Sequence, residues 1–308
     1  MAFLTVISLS SCLKDKFDII NADGSTPVVE FKNPGFISGE TPEGATSYSV
    51  FAFAYENGTA VEKTYVVQLT GPDPAESDIT LSIGANAAAV ATLNAEKSVA
   101  STFVPFTVMP TALYTILTPT VVIPAGQRTA VVRVRYNTTI FNYAFRYALP
   151  LAITSGGGKN ISKTFGTILL SVAAKNAYDG IYGSSSGAVQ RYGSPGVPTV
   201  GDALNGSIAN NPDLTLTTIN ATTTEIGNLR WAGGGSLVAG IDNLRATVDP
   251  VTNLVTMSSV GNATLRSTPG KTNTYDPATK TFTLNFDWGQ TTAPREITNL
   301  VIKYKASR

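Results

Sequence analysis

The sequence predicts an all-β protein of two domains, an N-terminal immunoglobulin-like β-sandwich followed by a second β-sandwich or a calycin-like β-barrel. Three observations lead there. Of the 308 residues 14% are charged and 43% hydrophobic, beside abundant Thr, Ser, Asn and Gly, which is the balance of extracellular β proteins. Short apolar or alternating runs bounded by turn residues recur from about Val28 to the end. The length exceeds a typical single domain, so two are expected.

The chain opens on a different pattern. An apolar stretch gives way to small residues at Ile7-Ser8-Leu9-Ser10-Ser11-Cys12, and Cys12 is the only cysteine. This reads as a bacterial lipobox, with residues 1–12 as signal peptide and the thiol as the site of lipid attachment. No Lys or Arg precedes Cys12, and the reading rests on the small-residue run and the thiol alone. It predicts a lipid anchor, no membrane-spanning helix, and a place outside the cytoplasm. Residues 13–26 are polar and glycine-bearing, with little to bury, and read as a tether.

The first domain is expected over 27–175. Tyr48–Phe53, Thr64–Leu69, Ala130–Tyr136, Leu149–Ile153 and Gly166–Val172 read as strands, and Ile79–Ile83 alternates strictly, as a strand with one wet face does. Six or seven such strands suggest a Greek-key sandwich. Asn86–Asn94 is alanine-rich and predicts one short helix crossing an end of that sandwich. Pro105, Pro110, Pro119 and Pro124 keep the segment that follows from being a central strand throughout.

A seam is expected at Ala174–Gly180, and the second domain over 176–308. Ile181–Gly187 is rich in Gly and Ser and reads as too small and flexible to pack alone. Strands resume at Leu214–Ile219, Leu244–Val248, Leu254–Met257, Phe282–Phe286 and Leu300–Tyr304. Asp249-Pro250-Val251-Thr252-Asn253 and Asp276-Pro277-Ala278-Thr279-Lys280 share one chemistry. Asp accepts backbone N–H groups and Pro pre-sets φ, so both are expected as hairpin turns rather than calcium or catalytic carboxylates.

Composition also excludes functions. There is no histidine, so neither a Ser-His-Asp nor a Cys-His device can be built, and the common zinc sites lack their ligands. A net charge of +1, from 22 basic and 21 acidic residues, gives no field for nucleic acid. Composition leaves room for a hard, oxygen-ligated ion such as calcium, but no cofactor and no metal site are expected.

Several short motifs occur in order: Met109-Pro110 with Leu113-Tyr114, Ile123-Pro124-Ala125-Gly126, Tyr147-Ala148-Leu149-Pro150-Leu151, and Lys175-Asn176-Ala177-Tyr178-Asp179-Gly180. With the lipobox they resemble a Bacteroidota family of surface lipoproteins, in which an immunoglobulin-like N-terminal domain of unknown function precedes a variable C-terminal domain. Members tend to be encoded with polysaccharide-uptake systems of the starch-utilisation type. The resemblance covers about Cys12 to Gly180. It implies an outer-membrane, cell-surface location and glycan handling beside a transporter or hydrolase, with the first domain as spacer or docking module. Lys14, Asp15 and Asp18 resemble the charged export signal of such lipoproteins. Some relatives carry a glycoside hydrolase in the C-terminal place, but roughly 130 residues are too few for a (β/α)₈ barrel of about 250.

Non-catalytic capture of an oligo- or polysaccharide is therefore expected. Sugar faces need flat aromatic rings flanked by amides and carboxylates. Trp231 and Trp288, the only tryptophans, are the candidate platforms, with Tyr182, Tyr192, Arg230, Asp242, Asp287 and Arg295 as neighbours. A β-sandwich also places tryptophan in its core, and a charge on a β-rim is usually only solvated. Two alternatives remain at this stage. One is a structural or adhesive module docking a partner protein. The other is a small glycan-active enzyme using Asp242 and Asp287 as paired carboxylates.

Overall fold

The computed structural model describes residues 26–38, 47–97 and 103–308. The signal peptide, Cys12 and, apart from Thr26, the tether lie outside the described residues. Among these residues no helix is long and apolar enough to cross a membrane.

The N-terminal part has β1 (Val28–Phe31), β2 (Val50–Tyr55), β3 (Val61–Leu69), β4 (Ile79–Ala85), α1 (Ala87–Lys97), β5 (Thr107–Val108), β6 (Tyr114–Ile116), β7 (Thr120–Ile123), β8 (Thr129–Tyr136), β9 (Tyr147–Ser155), β10 (Asn160–Ile161) and β11 (Thr167–Ala174). They form two facing sheets, ordered β10-β1-β3-β8-β6 and β2-β11-β9-β4-β7, with β5 added beside β9. Alternation sets the core: Tyr65, Val67 and Leu69 of β3 face Ile79, Leu81 and Ile83 of β4 across one interior. Inside it the hydroxyls of Tyr55, Tyr65 and Tyr136 form a chain, at 3.2 and 2.8 Å, and burial pushes all three well above the usual phenol range.

The helix occurs where alanine predicts it but does not cross an end of the sandwich. Ala89, Val90 and Leu93 pack on Val50, Ala148 and Leu169, covering the outer face of the second sheet. The reason is visible in β9 and β11, which are buried on both faces and need a cover.

The C-terminal part has β12 (Gly180–Ser194), β13 (Val197–Pro198), β14 (Gly206–Ser207), β15 (Leu214–Thr218), β16 (Thr223–Gly227), β17 (Leu244–Val248), β18 (Val255–Ser259), β19 (Arg266–Ser267), β20 (Thr274–Asp276), β21 (Thr281–Trp288) and β22 (Arg295–Ala306). The order β18-β17-β16-β15-β12-β22-β21, with β19 and β20 on β21, is antiparallel throughout. A Leu254–Thr274 bridge and the bond from Val255 N–H to the Asn273 carbonyl (3.0 Å) bring β18 against β20. The sheet thus curls into an up-and-down barrel, the calycin-like form of the two alternatives. Its interior is filled by side chains such as Tyr182, Leu216, Met257, Phe282 and Ile302.

The Gly-Ser run at 181–187 is a correction to the sequence reading. It lies within the longest strand, β12, paired with β15 on one side and β22 on the other, with register shifts near Ser184 and Ser186. A strand that bends around a small barrel needs bulges and little bulk. Gly187 sits at φ 140°, and a Cβ there would meet the Ile208 side chain at 2.9 Å. The two Asp-Pro segments are turns. Asp249 Oδ1 accepts the N–H groups of Val251 (2.8 Å) and Thr252 (3.1 Å), and Asp276 Oδ1 accepts that of Ala278 (2.9 Å). The Thr279 hydroxyl on Asp276 (2.6 Å) and those N–H bonds hold both carboxyls below the usual carboxylate range.

Candidate functional site

Topology gathers most of the sequence candidates at one end of the barrel, the end away from the sandwich. Trp231 follows β16, Trp288 ends β21, and Arg295 lies opposite Arg191, next to Tyr192, where β12 and β22 reach that end. Neither tryptophan is a platform, however. Trp231 is 6% and Trp288 4% exposed, with ring centroids 6.1 Å apart, and Phe286 stacks beneath Trp288 at 6.1 Å. A barrel must close its ends on something, and the largest apolar rings do it best, so this pair plugs the interior.

The polar candidates serve the same end structurally. Arg230 Nη1 donates to the carbonyls of Gly234 and Gly235, both at 3.1 Å, bracing the glycine loop. Arg295 Nη1 donates to the carbonyls of Ala293 (2.5 Å), Pro294 (3.0 Å) and Tyr192 (3.3 Å); burial and the nearby Arg191 push its pKa down. Asp287 is held by Arg266 Nε (3.1 Å) and Gln290 Nε2 (2.5 Å), while Asp242 is exposed. The Tyr192 hydroxyl lies 3.4 Å from Glu296. Tyr182 is elsewhere, wholly buried at the end toward the sandwich, and its hydroxyl has no hydrogen-bond partner among the described residues.

The concave surface lies at the waist, between sandwich and barrel, and it is built from the segment that joins them. Asn176 Nδ2 donates to the carbonyls of Asn220 (2.8 Å) and Thr223 (2.9 Å), and its N–H is taken by Thr218 Oγ1 (2.9 Å). Asp179 accepts from the N–H and the hydroxyl of Thr218, both at 2.9 Å, and pairs with Arg308 at 3.2 Å. Lys175 Nζ donates to the Arg308 carbonyl (2.6 Å) and stands 3.5 Å from the Glu56 carboxylate. Gly180 at φ 156° lets the chain turn away: a Cβ there would lie 2.6 Å from the Tyr304 ring.

Against this joint lies a loop with four aromatic residues in alternation, Phe141, Tyr143, Phe145 and Tyr147. Thr138 anchors it. The Thr138 hydroxyl accepts the Gly58 N–H at 2.8 Å and lies 2.9 Å from the Glu56 carbonyl, so the turn 138–141 is fixed to the end of β2. Phe141 and Tyr147 are buried and meet edge to face at 5.4 Å, forming the base on which Phe145 rests, 5.8 Å from Tyr147. Phe145 is 50% exposed and Tyr143 half-buried, whereas the Arg146 guanidinium turns away, over Phe106 at 4.4 Å.

Two adjoining recesses result, of about 250 and 670 Å³, which share Phe141, Asn142, Tyr143 and Ile219. Their charges are compensated in place, Lys175 by Glu56 and Arg308 by Asp179. The crevice therefore offers half-exposed rings, amides and hydroxyls around these two ion pairs, with Arg146 also in the lining. Sequence reasoning passed over it because its parts come from distant stretches, although the aromatic alternation of 141–147 was there to be read.

A family model described as "-like, N-terminal domain" matches residues 31–160, which is under half of the chain. No curated protein matches. Among solved structures, one of unknown function from Bacteroides ovatus aligns with a TM-score of 0.51 at 12% identity, covering 91% of this chain and 95% of that one. A second of unknown function from the same organism gives 0.49 at 17%, covering 89% and 94%. An auxiliary nutrient binding protein from Bacteroides thetaiotaomicron gives 0.43 at 14%, covering 88% and 94%. At such identities the likeness is one of fold: a nearly all-β architecture, sandwich then barrel, shared along most of the chain.

Proposed function

We propose that this protein is a non-catalytic glycan-binding lipoprotein of the cell surface, anchored to the outer membrane through Cys12, that captures oligo- or polysaccharide for a neighbouring transporter or hydrolase. The observation that carries the binding reading is the waist crevice, where Phe145 and Tyr143 offer ring faces beside amides, hydroxyls and paired charges. That is the surface a pyranose needs, an apolar face to stack on and fixed polar groups for its hydroxyls. Binding without cleavage fits the candidate carboxylates, since Asp287 is tied into an ion pair and Asp242 stands exposed on a loop.

The test is a glycan-array and affinity-gel screen comparing the unmodified protein with Phe145→Ala and Tyr143→Ala. Retention that both variants lose while still folded supports the reading; a protein that binds nothing across a broad neutral and acidic panel refutes it. Incorporation of labelled fatty acid, abolished in Cys12→Ser, tests the anchor.

A second reading has its own observation. Around the buried tryptophan pair, Val197, Val200, Leu237 and Val260 are exposed, Val200 at 98%. Apolar residues gathered on one end favour docking of a partner protein there. Pull-down from outer membranes, with Val200→Asp and Leu237→Asp as controls, separates the two.

A further inference from the structure

The crevice does not stop at the aromatic loop. Asn57 lines the larger recess beside that loop and also a third recess, of about 620 Å³, on the far side of the joining segment. The floor of this rear recess is a tyrosine cluster. Tyr178 meets Tyr275 edge to face at 4.9 Å, and both are mostly buried; Tyr304 is half-buried at the rim. The unpartnered Tyr182 hydroxyl lies behind them, its ring 5.6 Å from that of Tyr304. Amides of Asn176 and Asn253 complete the lining.

Charged groups stand here too. The turn carboxylates Asp249 and Asp276 are bound by N–H groups of their own turns, and Asp276 also by the Thr279 hydroxyl (2.6 Å), so the turns present Pro250, Asn253, Pro277 and Lys280 to the recess. Asp179 is fully shielded and paired with Arg308, and Glu56 stands by Lys175. The Lys280 ammonium sits over the Tyr304 ring at 4.4 Å, an exposed hydrogen-bond donor at the rim. Front and rear therefore have one chemistry, aromatic side chains and amides among mostly paired or turn-bound charges, and they meet at an exposed asparagine.

Resting on the glycan reading above, we infer that the waist holds one extended, uncharged glycan chain across two subsites, the aromatic loop in front and the tyrosine recess behind, joined at Asn57. A polymer that occupies both gains from the linkage of two weak sites, because the second contact is made at high effective concentration. A mono- or disaccharide reaches only one.

The test is calorimetric titration of the full chain with ladders of malto-, xylo-, manno- and β-1,3-gluco-oligosaccharides from two to eight units, and with oligogalacturonate as the charged probe. Variants are Phe145→Ala for the front, Tyr304→Ala for the rear and Asn57→Arg for the junction. The expected result is one chain per protein, with affinity rising with length, and a loss of about three- to tenfold for the longest ligand in each aromatic variant. Asn57→Arg, which leaves the core untouched, should reduce the affinity for long chains to that for short ones and serves if Tyr304→Ala fails to fold.

Two chains per protein, affinity flat with length, or long-chain binding that ignores both Tyr304→Ala and Asn57→Arg overturns the spanning mode and leaves the front site standing. Tighter binding of oligogalacturonate than of any neutral ladder overturns the uncharged class. No binding to any ladder refutes the glycan reading itself, and the spanning mode with it.

Discussion

Replacing Thr138 by valine keeps the shape of the side chain and removes one hydroxyl, which isolates what anchors the aromatic loop. That hydroxyl is buried, takes the Gly58 N–H at 2.8 Å and lies within bonding distance of the Glu56 carbonyl. Thr138→Val strands the Gly58 donor, which costs about 1–3 kcal/mol. Thr138→Ser keeps the hydroxyl and loses a methyl, about 0.8 kcal/mol. At roughly 2–4 °C per kcal/mol for a unit of this size, valine should lower the melting temperature by several degrees and serine by only a few. Hydrogen exchange gives the decisive assay. The Gly58 amide should exchange faster in Thr138→Val and stay protected in Thr138→Ser, and the valine variant should bind glycan less well because the loop is no longer fixed. A valine variant that keeps Gly58 protected, or that is more stable than the serine variant, would show that the hydroxyl does not hold the loop.

Trp231→Ala and Trp288→Ala should each destabilise the barrel by about 3–5 kcal/mol in denaturant titrations, as buried aromatic truncations do, whereas Phe145→Ala leaves stability nearly unchanged and alters only glycan retention. Gly180→Ala should destabilise strongly, because the new methyl meets the Tyr304 ring at 2.6 Å and the Ala306 carbonyl at 2.9 Å; a variant that melts like the unmodified protein would show that the joint relaxes freely. Asp249→Asn and Asp276→Asn should be less stable than the unmodified protein near neutral pH. Both carboxyls are depressed in the fold, so their contribution is present above the unfolded value of about 4 and fades as pH falls through the folded one. Urea titrations at pH 7 and pH 3 should thus show a difference that is smaller at the lower pH.

What could be read in advance followed from local chemistry. Strict alternation at Ile79–Ile83 gave a strand buried on one face, the alanines at 87–91 a helix, and each Asp-Pro pair a turn. Strand β12 escaped because its Gly and Ser residues carry no periodic apolar signal; they are demanded by the curvature of the barrel, which is a property of the closed sheet and not of the segment. The tryptophans escaped for the opposite reason. Their chemistry suits a sugar face and a barrel plug equally, and only the closure of β12 on β22 decides which. The waist was invisible because residues near 56, 141, 178 and 219 share no sequence neighbourhood.

The closing pair of the barrel also sets the order in which the protein can be made. Ile181 at the start of β12 lies opposite Ala306 near the end of β22, so the barrel's first strand must wait for the last residues of its unit before its longest ladder can form. During vectorial synthesis the sandwich has its strands in hand while the barrel remains an open sheet with an unpaired edge. Such an edge is slow to satisfy and prone to stray pairing. Loss of even the final strand would leave β12 open along that whole side, so a shortened chain should keep a folded sandwich and carry an aggregating tail.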